Sequence, residues 1–349
     1  MSLRFSLYLD LLRFAAALVV FVDHLASAPF SRQLLPGNLG RYGEIAVSLF
    51  FLLSGYVIAH VTATRERHAA AYVSSRLARL YSVMLLALPL TLVCDGLGRA
   101  LDPALYALPK VLSQPVSWQG YLAALLLVQE YRGLGWAGMA PGSNGPFWSL
   151  SFEGCYYLIA GLVLFCRPAL WLPLTALLLA LAGKTVAALL PLWGLGFVLC
   201  RLPSYRLAPL LAWCLLLMAG AALLALPWLY HPGPARFWFP YGRGPFNRDV
   251  LQDYLAAGLF ALHLLAARTV LDGAVRCWLQ RCLRWLGGLT FPLYCMHYPV
   301  LALVAASSPW SPASPAHLAL QCGATAVLVV LLTPACSALQ RRLRALLPS

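Results

Sequence analysis

Long apolar stretches recur along the whole chain, and they leave room for one kind of fold. About ten such stretches, bounded by charged residues, proline or glycine, fall near residues 5–27, 43–63, 76–98, 146–166, 168–183, 185–201, 208–229, 250–268, 285–306 and 316–338. A helix needs about 20 apolar residues to cross a bilayer, and 61% of the 349 residues are hydrophobic while only 10% are charged. The sequence therefore predicts an all-α, polytopic transmembrane bundle of about ten helices, forming one domain over residues 1–349.

The number of helices depends on two places in the sequence. Gly183 and Lys184 interrupt the fifth and sixth stretches, which can form one broken hairpin, and residues 119–130 can form an extra half-helix. Two longer connections, residues 99–145 and 230–249, are rich in Trp and Tyr. These aromatic residues are typical of the membrane–water interface, but they would also suit a lid or a sugar-stacking surface. The sequence leaves both interpretations open.

The formal charge of +14 indicates an orientation in the membrane rather than a nucleic-acid partner. With the N-terminus in the cytoplasm, most of the 25 Lys and Arg residues fall in cytoplasmic loops, which is the bias that sets the topology of membrane proteins. No basic run is interleaved with polar sequence, as nucleic-acid binding requires. We therefore expect both termini in the cytoplasm, and membrane lipid but no nucleic acid among the partners.

The first 28 residues also have features of a secretory signal peptide. Arg4 and Arg13 precede a short apolar run, and Ala26-Ser27-Ala28 offers a small-residue cleavage site. Cleavage there would leave one membrane-crossing stretch fewer, so the two ends of the remaining chain would lie on opposite sides of the membrane. It would also remove the most unusual polar residues of the chain. A first transmembrane helix is the better interpretation.

Ionisable residues in the first stretch predict a buried polar site. A charged side chain at the centre of a membrane helix costs about 2.5–3.5 kcal/mol, yet this stretch contains Asp10, Arg13 and His24. In a helix, Arg13 and His24 differ in direction by only about 20° and lie about 16 Å apart along the axis. We expect them to face one common lumen at two depths, with Asp10 as the counter-ion of Arg13.

Two carboxylates in later stretches belong to the same prediction. Glu44 begins the second stretch, and Glu153 lies well inside the fourth, where an ionisable group is costly without a function. The topology set by the loop arginines places both carboxylates near His24, in the outer half of the membrane. Ser54 and the glycine after it are typical of close helix packing. His297, beside two prolines, fits a structural histidine.

Two arginines at the start of the third stretch suit a phosphate-bearing ligand. Arg76 and Arg79 are three residues apart, so they share a helix face. The guanidinium group binds phosphate in a bidentate manner. The same topology places both arginines, with Arg13, in the inner half of the membrane, although positive-inside topology explains their number equally well.

The order and spacing of these segments resemble the acyltransferase 3 family of bacterial membrane O-acyltransferases over nearly the whole chain. The matching segments are LDLLR through His24 (residues 9–24), VSLFFLLSGY (47–56), RLARLY (76–81), WSLSFE (148–153) and LGGLTFPLYCMHYPV (286–300). One departure lies at Ser82, which follows Tyr81 where the family usually has proline.

The resemblance implies ten or eleven helices in a multi-pass protein of the bacterial inner membrane. It implies an acyl-CoA donor, in the simplest case acetyl-CoA, on the cytoplasmic side, and transfer of the acyl group to a hydroxyl of an outward-facing carbohydrate or glycolipid. By motif, His24 and Arg13 are essential and Arg76 and Arg79 serve the donor. We expect no tightly bound cofactor and no metal.

These segments, together with Glu44 just before the second of them, supply the candidate site residues. We expect catalysis by His24, Arg13 and Glu153, and substrate contacts from Arg76, Arg79, Glu44, Asp10, Ser54, Trp148 and Ser149. His24 would accept the proton of the attacking hydroxyl, oriented by Glu153 or Glu44, or would carry the acyl group transiently. A proton-coupled transporter is the alternative, because intramembrane His, Asp and Arg also form proton relays; it predicts flux without acyl transfer.

Overall fold

Helices dominate the structure. The computed structural model describes residues 1–31, 34–35, 40–203, 207–231, 238–240 and 247–347. The helices are α1 (Leu3–Leu25), α2 (Ala28–Ser31), α3 (Gly40–Thr64), α4 (Ala69–Leu101), α5 (Pro103–Tyr106), α6 (Trp118–Leu125), α7 (Trp148–Phe165), α8 (Pro168–Ala182), α9 (Lys184–Arg201), α10 (Pro209–Leu229), α11 (Val250–Val270), α12 (Cys277–Ser307) and α13 (Pro315–Leu346). Two short antiparallel strands, β1 (Trp238–Pro240) and β2 (Asn247–Asp249), precede α11.

Nine helices in the described part of the chain are long and apolar enough to cross a membrane, which confirms the all-α, multi-pass fold. The remaining predicted stretch forms α8, whose 15 residues fall short of the roughly 20 that a crossing needs. The chain breaks between α8 and α9 where predicted, because Gly183 has a φ of 95° that favours glycine. α6 is the short helix expected within residues 119–130.

α3 and α9 pack with their backbones in close contact. A Cβ atom added to Gly55 would collide with the carbonyl of Trp193, and one added to Gly196 would collide with the carbonyl of Leu52. Small residues permit this approach in membranes, where helix association depends on van der Waals packing. The predicted packing point at Gly55, next to Ser54, is therefore confirmed, and it holds one wall of the site in place.

α1 and α12 lie side by side and run in the same direction. Arg284, near the start of α12, forms an ion pair with Asp10 at 2.5 Å, and His297, farther along α12, contacts His24 near the end of α1. The ion pair predicted between Asp10 and Arg13 is not formed among the described residues. The neighbouring helix supplies Arg284 instead, so the carboxylate bonds across the helix interface rather than along its own helix.

A proline in α12 frees a carbonyl that anchors the loop before α7. Pro299 has no N–H, so it cannot donate the usual hydrogen bond to the carbonyl of Cys295. The side-chain amide of Asn144 donates to that carbonyl at 2.8 Å. The adjacent Ser143 donates its backbone N–H and its hydroxyl to Asp95 of α4, at 2.8 and 2.5 Å. The loop is therefore docked against both α4 and α12.

A buried ion pair ties the start of α11 to α3. Arg248 and Asp253 pair at 2.6 Å, with side chains 1% and 2% exposed. Ser48 donates to Asp253 at 2.5 Å and accepts from Arg248 at 2.6 Å, and the guanidinium carbon lies 5.5 Å from the centre of the Trp148 ring. Because both charges are buried, removal of either partner would leave the other uncompensated.

Candidate active site

Two cavities lie along α1, one near its middle and one near its end. The first, which we name the arginine cavity, has a volume of about 260 Å³ and is lined by Arg13, Arg79 and Glu153. The second, the histidine cavity, has a volume of about 320 Å³ and is lined by Asp23 and His24. Arg13 and His24 therefore both face the interior of the bundle, as the helical spacing predicted.

The expectation that Arg13 and His24 share one lumen is wrong. A hydrogen-bonded contact joins the linings of the two cavities: the hydroxyl of Tyr294 bonds to Ser149 Oγ at 2.7 Å and donates to the carbonyl of Pro146 at 3.2 Å. Ser149 and Tyr294 line the arginine cavity, whereas Pro146 lines the histidine cavity. The aromatic side chain that α12 inserts here divides the space, and periodicity along α1 alone could not reveal it.

The arginine cavity is lined by residues of both the first and the last helix of the described chain. Its lining includes Arg13 from the first half of α1 and the side chains of Ser337 and Gln340 from the second half of α13. That the two ends of the chain face the cytoplasm stays a prediction from the charge bias of the loops.

Glu153 is the carboxylate of the arginine cavity, and its predicted place beside His24 is wrong. Its Oε1 accepts hydrogen bonds from the hydroxyl of Tyr157 and, at 3.1 Å, from that of Ser54, and the indole N–H of Trp193 donates to Ser54 at 3.3 Å. Glu153 lies on the second turn of α7, deep enough to face this cavity rather than the other. Ser54 and Ser149 also line the arginine cavity.

Arg76 and Arg79 separate in the structure. Arg79 lines the arginine cavity, but Arg76 does not. Arg76 is buried and forms an ion pair with Glu66 at 2.5 Å, and its guanidinium carbon lies 5.4 Å from the centre of the Tyr72 ring. The prediction that both arginines meet the same ligand is not supported, because Glu66, in the turn between α3 and α4, holds Arg76 away from the cavity.

His24 and His297 form a stacked, hydrogen-bonded pair. Nδ1 of His24 lies 2.8 Å from Nε2 of His297, and the two rings are 5.1 Å apart. Nδ1 of His297 lies 2.9 Å from the carbonyl of Leu293, which can only accept. In neutral rings, His297 Nδ1 must therefore carry its proton, His297 Nε2 must accept, and His24 Nδ1 must donate. Nε2 of His24 is left with a free lone pair.

The other predicted residues divide between the two regions. Glu44 and Trp148 line the histidine cavity, as expected for Glu44, while Asp10 lines neither cavity and stays at the α1–α12 interface. Among the described residues, no cluster of three or more His, Cys, Asp or Glu side chains is arranged to hold a metal ion. The catalytic and binding roles of the candidate residues stay predictions.

Several residues of the histidine cavity were missed by sequence reasoning. Lys110, Gln129 and Glu130 belong to the long connection between α4 and α7 and line this cavity. The signal in the sequence was a set of polar residues within an aromatic-rich connection. The prolines on either side of His297 predict a structural histidine. Its apolar neighbours on α12 equally suit a buried partner of His24.

Comparison with known proteins identifies the family. A family model described as an acyltransferase domain matches residues 6–334. The chain belongs to the acyltransferase 3 family. It is also similar to the acyltransferase MdmB of Streptomyces mycarofaciens, with 36% identity over 151 residues, covering 42% of this chain and 36% of the relative. No solved structure matches the chain.

Family membership confirms the resemblance deduced from the motifs, and it favours an acyltransferase over a proton-coupled transporter. The aligned segment spans little more than a third of the length of MdmB, so the likeness to that protein does not assign a substrate. What this acyltransferase 3 protein transfers, and to which acceptor, must be argued from its two cavities.

Proposed function

We propose that this protein is a membrane O-acyltransferase that moves an acyl group, in the simplest case acetyl, from cytoplasmic acyl-CoA to a hydroxyl of a carbohydrate or glycolipid on the other side. The observation that carries the proposal is the free lone pair on His24 Nε2, which follows from the hydrogen bonds of His297. A neutral imidazole with one free nitrogen facing a cavity can act as a general base.

The proposed reaction uses His24 twice. Nε2 takes the proton of the acceptor hydroxyl while the oxygen attacks the thioester carbonyl carbon and forms the C–O bond. The C–S bond then breaks, and the imidazolium returns the proton to the departing thiolate, so the products are the O-acyl ester and free CoA. Throughout, Nδ1–H of His24 keeps its hydrogen bond to His297, which holds the ring in one orientation.

The arginine cavity is the proposed binding site for acyl-CoA. Neither Arg13 nor Arg79 donates a hydrogen bond or forms an ion pair within the described residues, although both guanidinium groups line the cavity. Unused guanidinium donors suit the phosphates and amide carbonyls of a CoA ester. For the thioester to reach His24, the Tyr294 side chain between the cavities must rotate, which breaks its bonds to Ser149 and Pro146.

The test is retention of a labelled acyl group. Membranes containing the protein are incubated with acetyl-CoA labelled in the acetyl group, and the label in the glycan and glycolipid fractions is measured. The wild type is expected to label an alkali-sensitive ester, and His24→Gln is expected to leave the fractions unlabelled. The control is His60→Gln, a half-buried histidine on α3 that lines neither cavity. Equal labelling by His24→Gln would overturn the proposal.

A further inference from the structure

Acidic side chains gather at the histidine cavity although the chain as a whole is basic. The protein has 25 Lys and Arg but only 11 Asp and Glu residues, yet the described residues that line this cavity include the carboxylates of Asp23, Glu44 and Glu130 and one ammonium group, Lys110. Lys110 is exposed and forms no ion pair within the described residues. A concave site lined by charges of one sign raises the local concentration of ligands of the other sign.

Asp23 is the carboxylate that the fold leaves available. It precedes His24 on α1, lines the same cavity, and has no hydrogen bond or ion pair to any residue that the structure describes. Its position is set by close contact with α3, because a Cβ atom added to Gly43 would collide with the carboxylate. A half-buried carboxylate that has neither a hydrogen bond nor a close ion pair is unfavourable, so a cationic ligand here would gain affinity from pairing with it.

A second, independent observation points to a ligand that donates hydrogen bonds. Gln129 is 1% exposed and lines the cavity. Its amide nitrogen donates to the carbonyl of Phe147 at 2.6 Å, while its Oε1 is buried without a partner. The hydroxyl of Ser27, also in the lining, lacks a partner as well. Buried polar atoms are usually hydrogen-bonded, so the unused carbonyl of Gln129 marks a place for a donor.

We propose that the histidine cavity takes an acceptor bearing a protonated amine close to the hydroxyl that is acylated, as in an amino sugar. The ammonium group would pair with Asp23 and offer further N–H donors to acceptors such as Gln129 Oε1, while the hydroxyl faces Nε2 of His24. An acceptor with a phosphate or a carboxylate would instead meet the like charge of Asp23. This inference rests on the proposed function, because it names the acceptor of the same reaction.

A matched series of three sugars tests the proposal. Methyl glucosaminide, methyl glucoside and methyl glucuronide share one ring. Relative to the neutral glucoside, the glucosaminide carries an ammonium group in place of one hydroxyl, and the glucuronide carries a carboxylate in place of the hydroxymethyl group. Their affinities for the full-length protein in lipid nanodiscs are measured by ligand-detected NMR, without acyl-CoA. We expect the amine to bind at least about fivefold more tightly than the neutral sugar, the factor that one pair of unit charges about 4 Å apart gives even in bulk water, and the glucuronide to bind most weakly.

Asp23→Asn should abolish the preference for the amine over the neutral sugar. The matched control is Asp272→Asn, an exposed carboxylate between α11 and α12 that lines neither cavity. If Asp23→Asn does not fold, the wild type still decides, because the preference for the amine should shrink as salt screens the charges. Equal binding of the amine and the neutral sugar would overturn the inference.

In this design, the binding measurement tests the ligand class of the cavity, and the transfer measurement tests the proposed function. Amine-selective binding without any acyl transfer from acyl-CoA would overturn the proposed function and leave the ligand class of the cavity standing. Acyl transfer to a neutral or anionic sugar, with no preference for the amine, would overturn the ligand class and leave the proposed function standing.

Discussion

The arginine cavity and the histidine cavity are similar in volume, about 260 and 320 Å³, but opposite in chemistry. The first presents two guanidinium groups, Arg13 and Arg79, whose hydrogen-bond donors are unused by the described residues. The second presents unused acceptors: the carboxylate of Asp23, Nε2 of His24 and the carbonyl of Gln129. One helix, α1, therefore supplies a guanidinium group to one cavity and an imidazole to the other.

Under the proposed function, this difference would let a single bundle bind the acyl donor and the acceptor in separate cavities. Among the described residues that line the arginine cavity, the one carboxylate, Glu153, accepts hydrogen bonds from Tyr157 and Ser54 and forms no ion pair with the guanidinium groups. In the histidine cavity, Nδ1 of His24 donates a hydrogen bond to His297, and Nε2 of His24 keeps a free lone pair. In each case, neighbouring side chains decide which polar atoms face the ligand.

Replacing the base should have the largest effect and should affect one cavity only. In His24→Ala, kcat for acyl transfer should fall by about 10²–10⁴-fold, which is the usual contribution of a general base. The affinity for acyl-CoA, measured by calorimetry, should stay at the wild-type value, because His24 does not line the arginine cavity. Loss of donor binding in this variant would mean that the two cavities are not separate.

Breaking the buried ion pair should destabilise the wall behind Trp148. Asp253→Ala leaves Arg248 buried and uncompensated, so we expect a loss of about 3–5 kcal/mol in the free energy of unfolding, seen as a lower midpoint in thermal unfolding. The control is Asp102→Ala, which removes only the cap of the short α5 and should cost about 1 kcal/mol. Equal losses would show that the pair does not support this wall.

The two arginines of α4 should behave differently although they lie three residues apart. Arg79→Ala should weaken acyl-CoA binding by about ten- to a hundredfold, because a hydrogen bond to a charged group contributes about 1.5–3 kcal/mol. Arg76→Ala removes the partner of Glu66 and should lower thermal stability with a smaller effect on donor affinity. The measurement is the ratio of the acyl-CoA affinities of the two variants. A ratio near one would mean that both guanidinium groups bind acyl-CoA.

The smallest effect is expected at Asp10. Its partner Arg284 has a side chain that is 46% exposed, and such pairs contribute about 0–1 kcal/mol. Asp10→Asn should therefore leave both the rate of transfer and the donor affinity within about fivefold of the wild type. A loss comparable to that of His24→Ala would show that Asp10 takes part in catalysis, and would extend the site beyond the two cavities.

Helix positions could be predicted from the sequence because each depends mainly on its own residues. The apolar stretches, the break at Gly183 and the close approach at Gly55 all follow from local composition and from the conformational freedom of glycine. The inward direction of Arg13 and His24 likewise follows from helical periodicity alone.

Partners across helices could not be predicted in the same way. Asp10 bonds to Arg284 and His24 to His297, and each partner is more than 270 residues away in the sequence. The sequence predicts Glu153 beside His24, whereas the structure places it in the arginine cavity. The depth of Glu153 depends on where the loop before α7 docks, and that docking depends on the carbonyl freed by Pro299. Such contacts depend on tertiary packing, which a single sequence does not encode locally.

The account depends most directly on the tautomer of His24. Nitrogen-15 NMR of the full-length protein in nanodiscs, with histidine labelled in the ring and His24 assigned by its loss in His24→Gln, reports which nitrogen carries the proton. We predict a neutral ring protonated at Nδ1 and bare at Nε2. A neutral ring protonated at Nε2 would leave no base facing the histidine cavity and would contradict the proposed mechanism.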